Sequence, residues 1–477
     1  MLDRTHLLSA PLLLAMVSLL CCYTRAYAND DPLEFDVTKY TDRTLTVGDQ
    51  KVPYRAYEGI VYVSKPLDTL CQSMNIYIPT AYFDGKSIGK YTADTAPIFM
   101  PNGIGGYMPA TPGSPRRGSG AIAQALARGY VVAAPGARGF TSSDPQGINI
   151  GKAPACIVDM KAAVRYLRHN DKIMPGNAEK IISNGTSAGG AVSALIGATG
   201  NAPDYEPYLK AIGAATARDD IFAASCYCPI TNLDHADSAY EWMFGGVNDY
   251  VSRNGKGALT AEQISFSEQL TRLFPSYINS LHLKTKAGNE LTLNNDGNGS
   301  FKEYVKSYVI ASAQTAINQG KNLADLTWVT MDGSSVKDID FAQYVKYATR
   351  MKTPPAFDDL TNASPETGLF GTATVDAQHF TQFGKEHSSD HKLADAAVVK
   401  AMNPMYYVGT KGVSVAKHWR IRHGAADRDT SLAIPVILAT KLQNTGAQVD
   451  FAAPWAQGHG GDYDLPELFA WIDMVCK

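Results

Sequence analysis

Cysteine is scarce in this chain, with seven in 477 residues. Cys21 and Cys22 fall in an N-terminal apolar stretch, which leaves Cys71, Cys156, Cys226, Cys228 and Cys476 for the remainder. So few thiols in so long a chain exclude a disulfide-stapled scaffold, and an odd number cannot all pair. An excess of one charge sign is also lacking: the formal net charge is −3, and no long basic or acidic block occurs. That balance does not point to a surface for nucleic acid or for an anionic membrane, though it leaves room for a local patch. Past the N-terminus no apolar run is long enough to cross a bilayer. Missing too are a P-loop, internal repeats and low-complexity tracts. The "GIGG" glycines do not complete a dinucleotide fingerprint. "NNDGNGS" begins like a calcium loop, but its ninth and twelfth positions are Lys302 and Val305, so the bidentate carboxylate is absent and a polar turn is expected. "DHAD" (234–237) and "HSSDH" (387–391) have no zinc spacing and read as polar helix ends or loops. The expectation is an activity needing neither metal nor organic cofactor.

The N-terminus carries an address. Arg4 and His6 precede "LLSAPLLLAMVSLLCC", and Ala26-Tyr27-Ala28 sets small residues around one position. This pattern predicts a signal peptide over residues 1–28, cleaved after Ala28, and hence export without stable membrane insertion. Leu20 is too bulky for lipoprotein processing at Cys21.

Hydrophobic residues make up 45% and charged residues 19%, which suits a globular protein with a substantial core. Between residues 96 and 230, strand-like runs ("APIFMPN", "GYVVAAPG", "KIISNG", "IFAASCYCPI") alternate with helix-like ones. In "PACIVDMKAAVRYLRHN", Ile157, Met160, Val164 and Leu167 recur at helical spacing. Such alternation predicts a parallel sheet covered on both faces. From residue 231 to about 403 the alternation stops in favour of helices, with capping boxes expected at Thr260/Gln263, Ser300/Glu303 and Asp340/Gln343. It returns with "HWRIRHG", "SLAIPVILATKLQNTG", "VDFAAPW" and "LPELFAWIDMVC". The expected organisation is an α/β domain in two parts, 29–230 and 404–477, interrupted by a large helical insertion over 231–403.

The chemistry starts at "NGTSAGG". A strand that turns into a helix on a single residue strains that residue, and its neighbours two positions away must be small. Gly185-Thr186-Ser187-Ala188-Gly189 meets both demands in a strand–turn–helix setting. A bare GxSxG also occurs in packing turns; the setting favours Ser187 as a nucleophile. A serine hydroxyl needs a base, and the base needs an acid to fix its tautomer. In this kind of fold the chain order is serine, acid, histidine. "RHGAADRDTS" offers Asp427 and Asp429, of which Asp427 stands first after the strand and is preferred. "PWAQGHGGDYD" offers His459 in a Gly-rich loop at the same sheet edge. His423 abuts a strand end and reads as structural. An oxyanion hole needs backbone N–H donors. Ala188, next after the nucleophile, and Gly106 in "MPNGIGGYMP" are the candidates.

With those loops located, the chain resembles the bacterial tannases from about residue 50 to its end. The resemblance is carried by "APIFMPNGIGGY", "PACIVDMKAAVRYL", "NGTSAGGA", "YCPITNLDHADSAYEW", "TRMKTPPAFD", "SPETGLFG", "KHWRIRHGAADRDTS" and "GDYDL". It implies an α/β-hydrolase fold with a large lid, acting on galloyl esters of tannins and simple gallates. It also implies Ser187, Asp427 and His459 as the triad. Lys352, Glu366 and Asp429 are implied as the holders of the galloyl hydroxyls. Taken alone, Lys352 and Glu366 read as solvated surface charges. The fungal type, with a disulfide joining the residues before serine and histidine, is excluded by Thr186 and Gly458. Two rival expectations are another aromatic-acid esterase, such as a feruloyl esterase, and a non-catalytic hydrolase-like binding protein.

Overall fold

The computed structural model describes residues 31–115, 120–252 and 255–477; the expected signal peptide lies outside them. The chain enters through an antiparallel meander of β1 (Thr41–Val47), β2 (Gln50–Val61) and β3 (Ser73–Pro79). From there the expected alternation sets in. It comprises β4 (Pro97–Pro101), α1 (Ala121–Ala127), β5 (Val131–Pro135), α2 (Ala155–His169), β6 (Asn177–Thr186), α3 (Ala188–Ala198), α4 (Glu206–Ala211) and β7 (Ala223–Tyr227). β5 and β7 are buried along their whole length, as strands covered by helices on both faces must be.

Between residues 231 and 403 come α5 (Leu233–Phe244), the hairpin β8 (Asp249–Ser252) and β9 (Gly255–Ala258), α6 (Ala261–Ser280) and α7 (Ser300–Asn318). A second hairpin, β10 (Val329–Asp332) and β11 (Ser335–Ile339), precedes α8 (Phe341–Ala348), α9 (Pro365–Leu369), α10 (Gln382–His387) and α11 (Ala396–Ala401). The chain then closes with β12 (His418–Arg422), α12 (Ala433–Asn444), β13 (Gln448–Ala452) and α13 (Leu465–Val475). The segment is helical as expected, with two small hairpins added.

Its helix starts follow the sequence signals unevenly. Thr260 and Gln263 close a full capping box on α6. Asp340 accepts from Gln343 N–H at 3.1 Å, but its own amide is taken by Trp328 O, so the box is half made. The box expected at Ser300 does not form. Gly299 precedes the helix with φ 146°, and the Ser300 hydroxyl instead accepts from Thr292 N–H and donates to Glu290 O.

Nine strands form the main sheet in the order β1-β2-β3-β5-β4-β6-β7-β12-β13. Those from β5 to β13 in that order run parallel. This is the mainly parallel sheet of an α/β-hydrolase fold, with the pieces before and after the insertion contributing neighbouring strands. Register fixes what stands at its C-terminal edge: Thr186 lies opposite Tyr227, and Tyr227 opposite Arg422. One step further along the three strands, Ser187, Cys228 and His423 therefore stand side by side. Ser187 N–H donates to Tyr227 O at 3.0 Å, Cys228 N–H to Arg422 O at 2.6 Å, and His423 N–H to Ala452 O at 3.2 Å.

Candidate active site

Ser187 sits on the turn between β6 and α3 with φ 60° and ψ −123°, a conformation that L-residues seldom adopt. The glycines around it are there for space. A Cβ on Gly185 would lie 2.2 Å from Gly189 O, and one on Gly189 would lie 2.7 Å from Ile104 O. Both are impossible contacts, so any larger residue would force the elbow apart. The helix start leaves the Ala188 N–H outside the intrahelical ladder. Gly106, with φ 54°, lies in the loop after β4. Asn102, which sequence reasoning missed, ties that loop to the elbow. Its side-chain amide donates to Asn184 O, Gly189 O and Ser193 Oγ, while its oxygen accepts from Ile104 N–H.

Asp427 and His459 are brought together. His459 Nδ1 lies 2.9 Å from Asp427 Oδ2, and the other Asp427 oxygen accepts from Asp429 N–H at 2.9 Å. Burial would raise the Asp427 carboxyl, yet the neighbouring His423 and His459 hold it below its ordinary range. Burial likewise opposes a charged His459, but the Asp427 hydrogen bond, with help from Cys228, raises that imidazole above its usual value. His423 Nδ1 lies 3.7 Å from the same Asp427 oxygen that His459 meets, and burial lowers the pKa of His423. The loop bearing His459 is pressed on the elbow: a Cβ on Gly461 would fall 1.9 Å from Thr186 Oγ1, and Asn184 donates to Asp462. The ring's outer nitrogen does not bond Ser187. Nε2 instead faces Cys228 Sγ at 4.0 Å, and that thiol also donates to Gly460 O at 3.4 Å. The five cysteines after residue 28 are all unpaired and buried. Cys228 is the second residue that sequence reasoning missed. Its place beside the histidine follows from β7 lying between β6 and β12, which no local pattern reveals.

Lys352, Glu366 and Asp429 also converge. Lys352 Nζ lies 3.0 Å from Asp429 Oδ1 and 3.8 Å from the Phe357 ring centroid. Burial raises the Glu366 carboxyl, Lys352 opposes that shift, and Asp429 adds to it, so all three share one electrostatic neighbourhood. The bend-rich stretch carrying Lys352 is fastened to one face of α5. Asp237, Tyr240 and Glu241 recur at spacings of three and four, which aligns them on that face. Asp237 accepts from Phe357 and Asp358 N–H, Tyr240 Oη accepts from Met351 and Lys352 N–H, and Glu241 pairs with the buried Arg350. Tyr240 then donates to Arg428 O at 2.9 Å, between Asp427 and Asp429. One hydroxyl thus couples the lysine stretch to the acid loop.

Comparison with known proteins agrees with this architecture. The family model described as BD-FAE matches residues 105–250. Esterase LipQ of Mycobacterium tuberculosis is 30% identical over 112 residues, which covers 22% of this chain and 25% of that esterase. Two solved structures extend much further. Tannase of Fusobacterium nucleatum is 51% identical, covers 93% of this chain and 99% of its own, and superposes with a TM-score of 0.90. A tannin acyl hydrolase in complex with ethyl gallate is 49% identical over the same shares, with a TM-score of 0.91. With half of its residues shared across nearly the whole length of those enzymes, the chain belongs to the bacterial tannase family.

Proposed function

We propose that this chain is an exported serine esterase that hydrolyses galloyl esters, from simple gallates to tannins, and releases gallic acid. Ser187 attacks the ester carbonyl while His459 takes its proton; Asp427 holds the ring tautomer and balances the imidazolium. The amides of Ala188 and Gly106 receive the oxyanion. His459 returns the proton to the leaving alcohol, and a water activated by the same ring then releases gallate from Ser187. For the first step the ring turns from Cys228 toward Ser187 Oγ while keeping its hydrogen bond to Asp427. Lys352 donates to a phenolic oxygen, and Asp429 and Glu366 accept from phenolic hydroxyls. Residues 231–403 act as the lid on a hydrolase domain made of 29–230 and 404–477, and residues 1–28 direct export.

The observation that carries this reading is the Asp427–His459 pair, 2.9 Å apart, with the histidine's loop pressed on the strained elbow that bears Ser187. Half identity to an acyl hydrolase solved with ethyl gallate supports the galloyl part. Charged groups hydrogen-bonded to a substrate contribute about 1.5–3 kcal/mol each. A site built around three phenols therefore discriminates strongly against rings that lack them. Rates on methyl gallate and methyl ferulate test the assignment. Methyl gallate is expected to be the better substrate, with Ser187→Ala losing at least about 10⁴-fold in kcat. A preference for methyl ferulate refutes the galloyl reading, and an unimpaired Ser187→Ala refutes the nucleophile.

A further inference from the structure

The ligand atoms of Cys228, Asp427 and His459 all lie within 4.8 Å of one another, the one such His, Cys or acid cluster among the described residues. From this geometry we infer that Cys228 Sγ and His459 Nε2 form a binding site for a thiophilic divalent cation, zinc above all. The two atoms are 4.0 Å apart. Zinc–sulfur and zinc–nitrogen bonds of about 2.3 and 2.0–2.1 Å at a tetrahedral angle separate the two ligand atoms by about 3.6 Å. Closing that small gap requires only a slight turn of either side chain. Thiolate and imidazole together suit zinc, cobalt or cadmium rather than magnesium or calcium.

Asp427 belongs to the site in another capacity. Both of its oxygens are engaged, one by His459 Nδ1 and one by Asp429 N–H. It orients the ring and fixes the proton on Nδ1, which leaves the Nε2 lone pair directed at the thiol. Metal-bound histidines are held by such carboxylates as a rule. Binding converts the thiol to a thiolate: its proton leaves to solvent, Gly460 O loses its donor, and a sulfur–metal bond forms. Nothing is oxidised or reduced.

The site rests on these positions alone; its consequence for hydrolysis rests on the role proposed above for His459. A metal on Nε2 occupies the lone pair needed to take the Ser187 proton, so zinc and turnover exclude each other.

Cobalt(II) added to the chelator-treated native protein, without substrate, is the first measurement. A thiolate-to-cobalt charge-transfer band that zinc abolishes is expected in the native protein and in Cys226→Ala. Cys228→Ser, checked for folding by circular dichroism, is expected to lose the band and to weaken zinc binding by at least about tenfold. Asp427→Asn, which keeps both ligands, is expected to weaken it by about 10–100-fold. Absence of the band in the native protein overturns the site without help from any variant, as does unchanged zinc affinity in folded Cys228→Ser. A band together with undiminished hydrolysis upholds the site and instead refutes His459 as the base.

Discussion

At the scale of single residues, the site is a set of groups held against their preferences. Ser187 keeps a positive φ in a turn that is possible only because Gly185 and Gly189 carry no Cβ, and its own amide is tied to Tyr227 O. Burial holds the Glu366 carboxyl with a raised pKa, and Lys352, bonded to Asp429 at 3.0 Å, pulls against that shift. A lysine so placed has a clear task. Without a substrate it offsets the negative charge of Asp429 and Glu366, and in the proposed galloyl site it donates to a phenolic oxygen. Replacing it with methionine keeps an apolar contact with Phe357 but removes the donor and the positive charge that offsets Asp429 and Glu366. Lys352→Met is therefore expected to lower kcat/KM on methyl gallate by about 10- to 150-fold, the equivalent of one charged hydrogen bond. On methyl benzoate, which has no phenols, the loss should be severalfold smaller. Equal losses on both esters would assign Lys352 to folding rather than to selection.

At the scale of elements, α5 connects selection to chemistry. Its Tyr240 hydroxyl accepts from Met351 and Lys352 N–H and donates to Arg428 O, so it aligns the lysine stretch with the loop bearing Asp427 and Asp429. Tyr240→Phe leaves those backbone groups without their partner. The expected result is a KM for methyl gallate raised about tenfold, with kcat changed less, because the proposed galloyl holders shift while the Asp427–His459 bond is made elsewhere. Matched losses in kcat and KM on non-phenolic esters as well would argue for general loosening. The strand–helix alternation from β4 to α3, the elbow and the two loops after β12 and β13 were legible because each is a local pattern of period, glycine and turn. What α5 does was not. "DHAD" reads as a polar helix end or loop, and only the tertiary partners reveal that Asp237, Tyr240 and Glu241 face inward. Cys228 was legible as a buried thiol, but its neighbour was not, since strand order is set by crossovers rather than by the strand's own residues. The early meander escaped for a related reason: β1 is almost wholly exposed and has little apolar alternation to read.

At the scale of the whole molecule, residues 33–477 form one compact unit, and a single apolar cluster takes in residues from both sides of the insertion boundary. Trp328 stacks on Trp455, Tyr308 meets Phe451 edge-on, and Tyr344 donates to Ala425 O beside the acid loop. Stability of the insertion is thus stability of the site. Asp237 gives that coupling a pH dependence. It is buried, it lies near Asp358 and Glu241, and burial first and those charges next push its carboxyl up to about 8, against the pull of two backbone N–H donors. A folded value above the ordinary one means that the folded chain binds this proton more tightly. The contribution is complete below about pH 4 and disappears as the pH rises through about 8. His379 and His459, also raised, lose their contributions at higher pH than an ordinary histidine would, so the slope of the native protein alone does not single out Asp237. Its difference from Asp237→Asn does. Asparagine cannot ionise, so the fall in Tm between pH 5 and pH 8.5 should be smaller in that variant, by an amount of the order of a few degrees. The variant should be the less stable protein at pH 5, where its amide N–H₂ meets one of the two backbone donors, and should close that gap as the pH rises. Thermal melts followed by circular dichroism across this range decide the matter: parallel curves for the two proteins would mean that Asp237 is already ionised at pH 5.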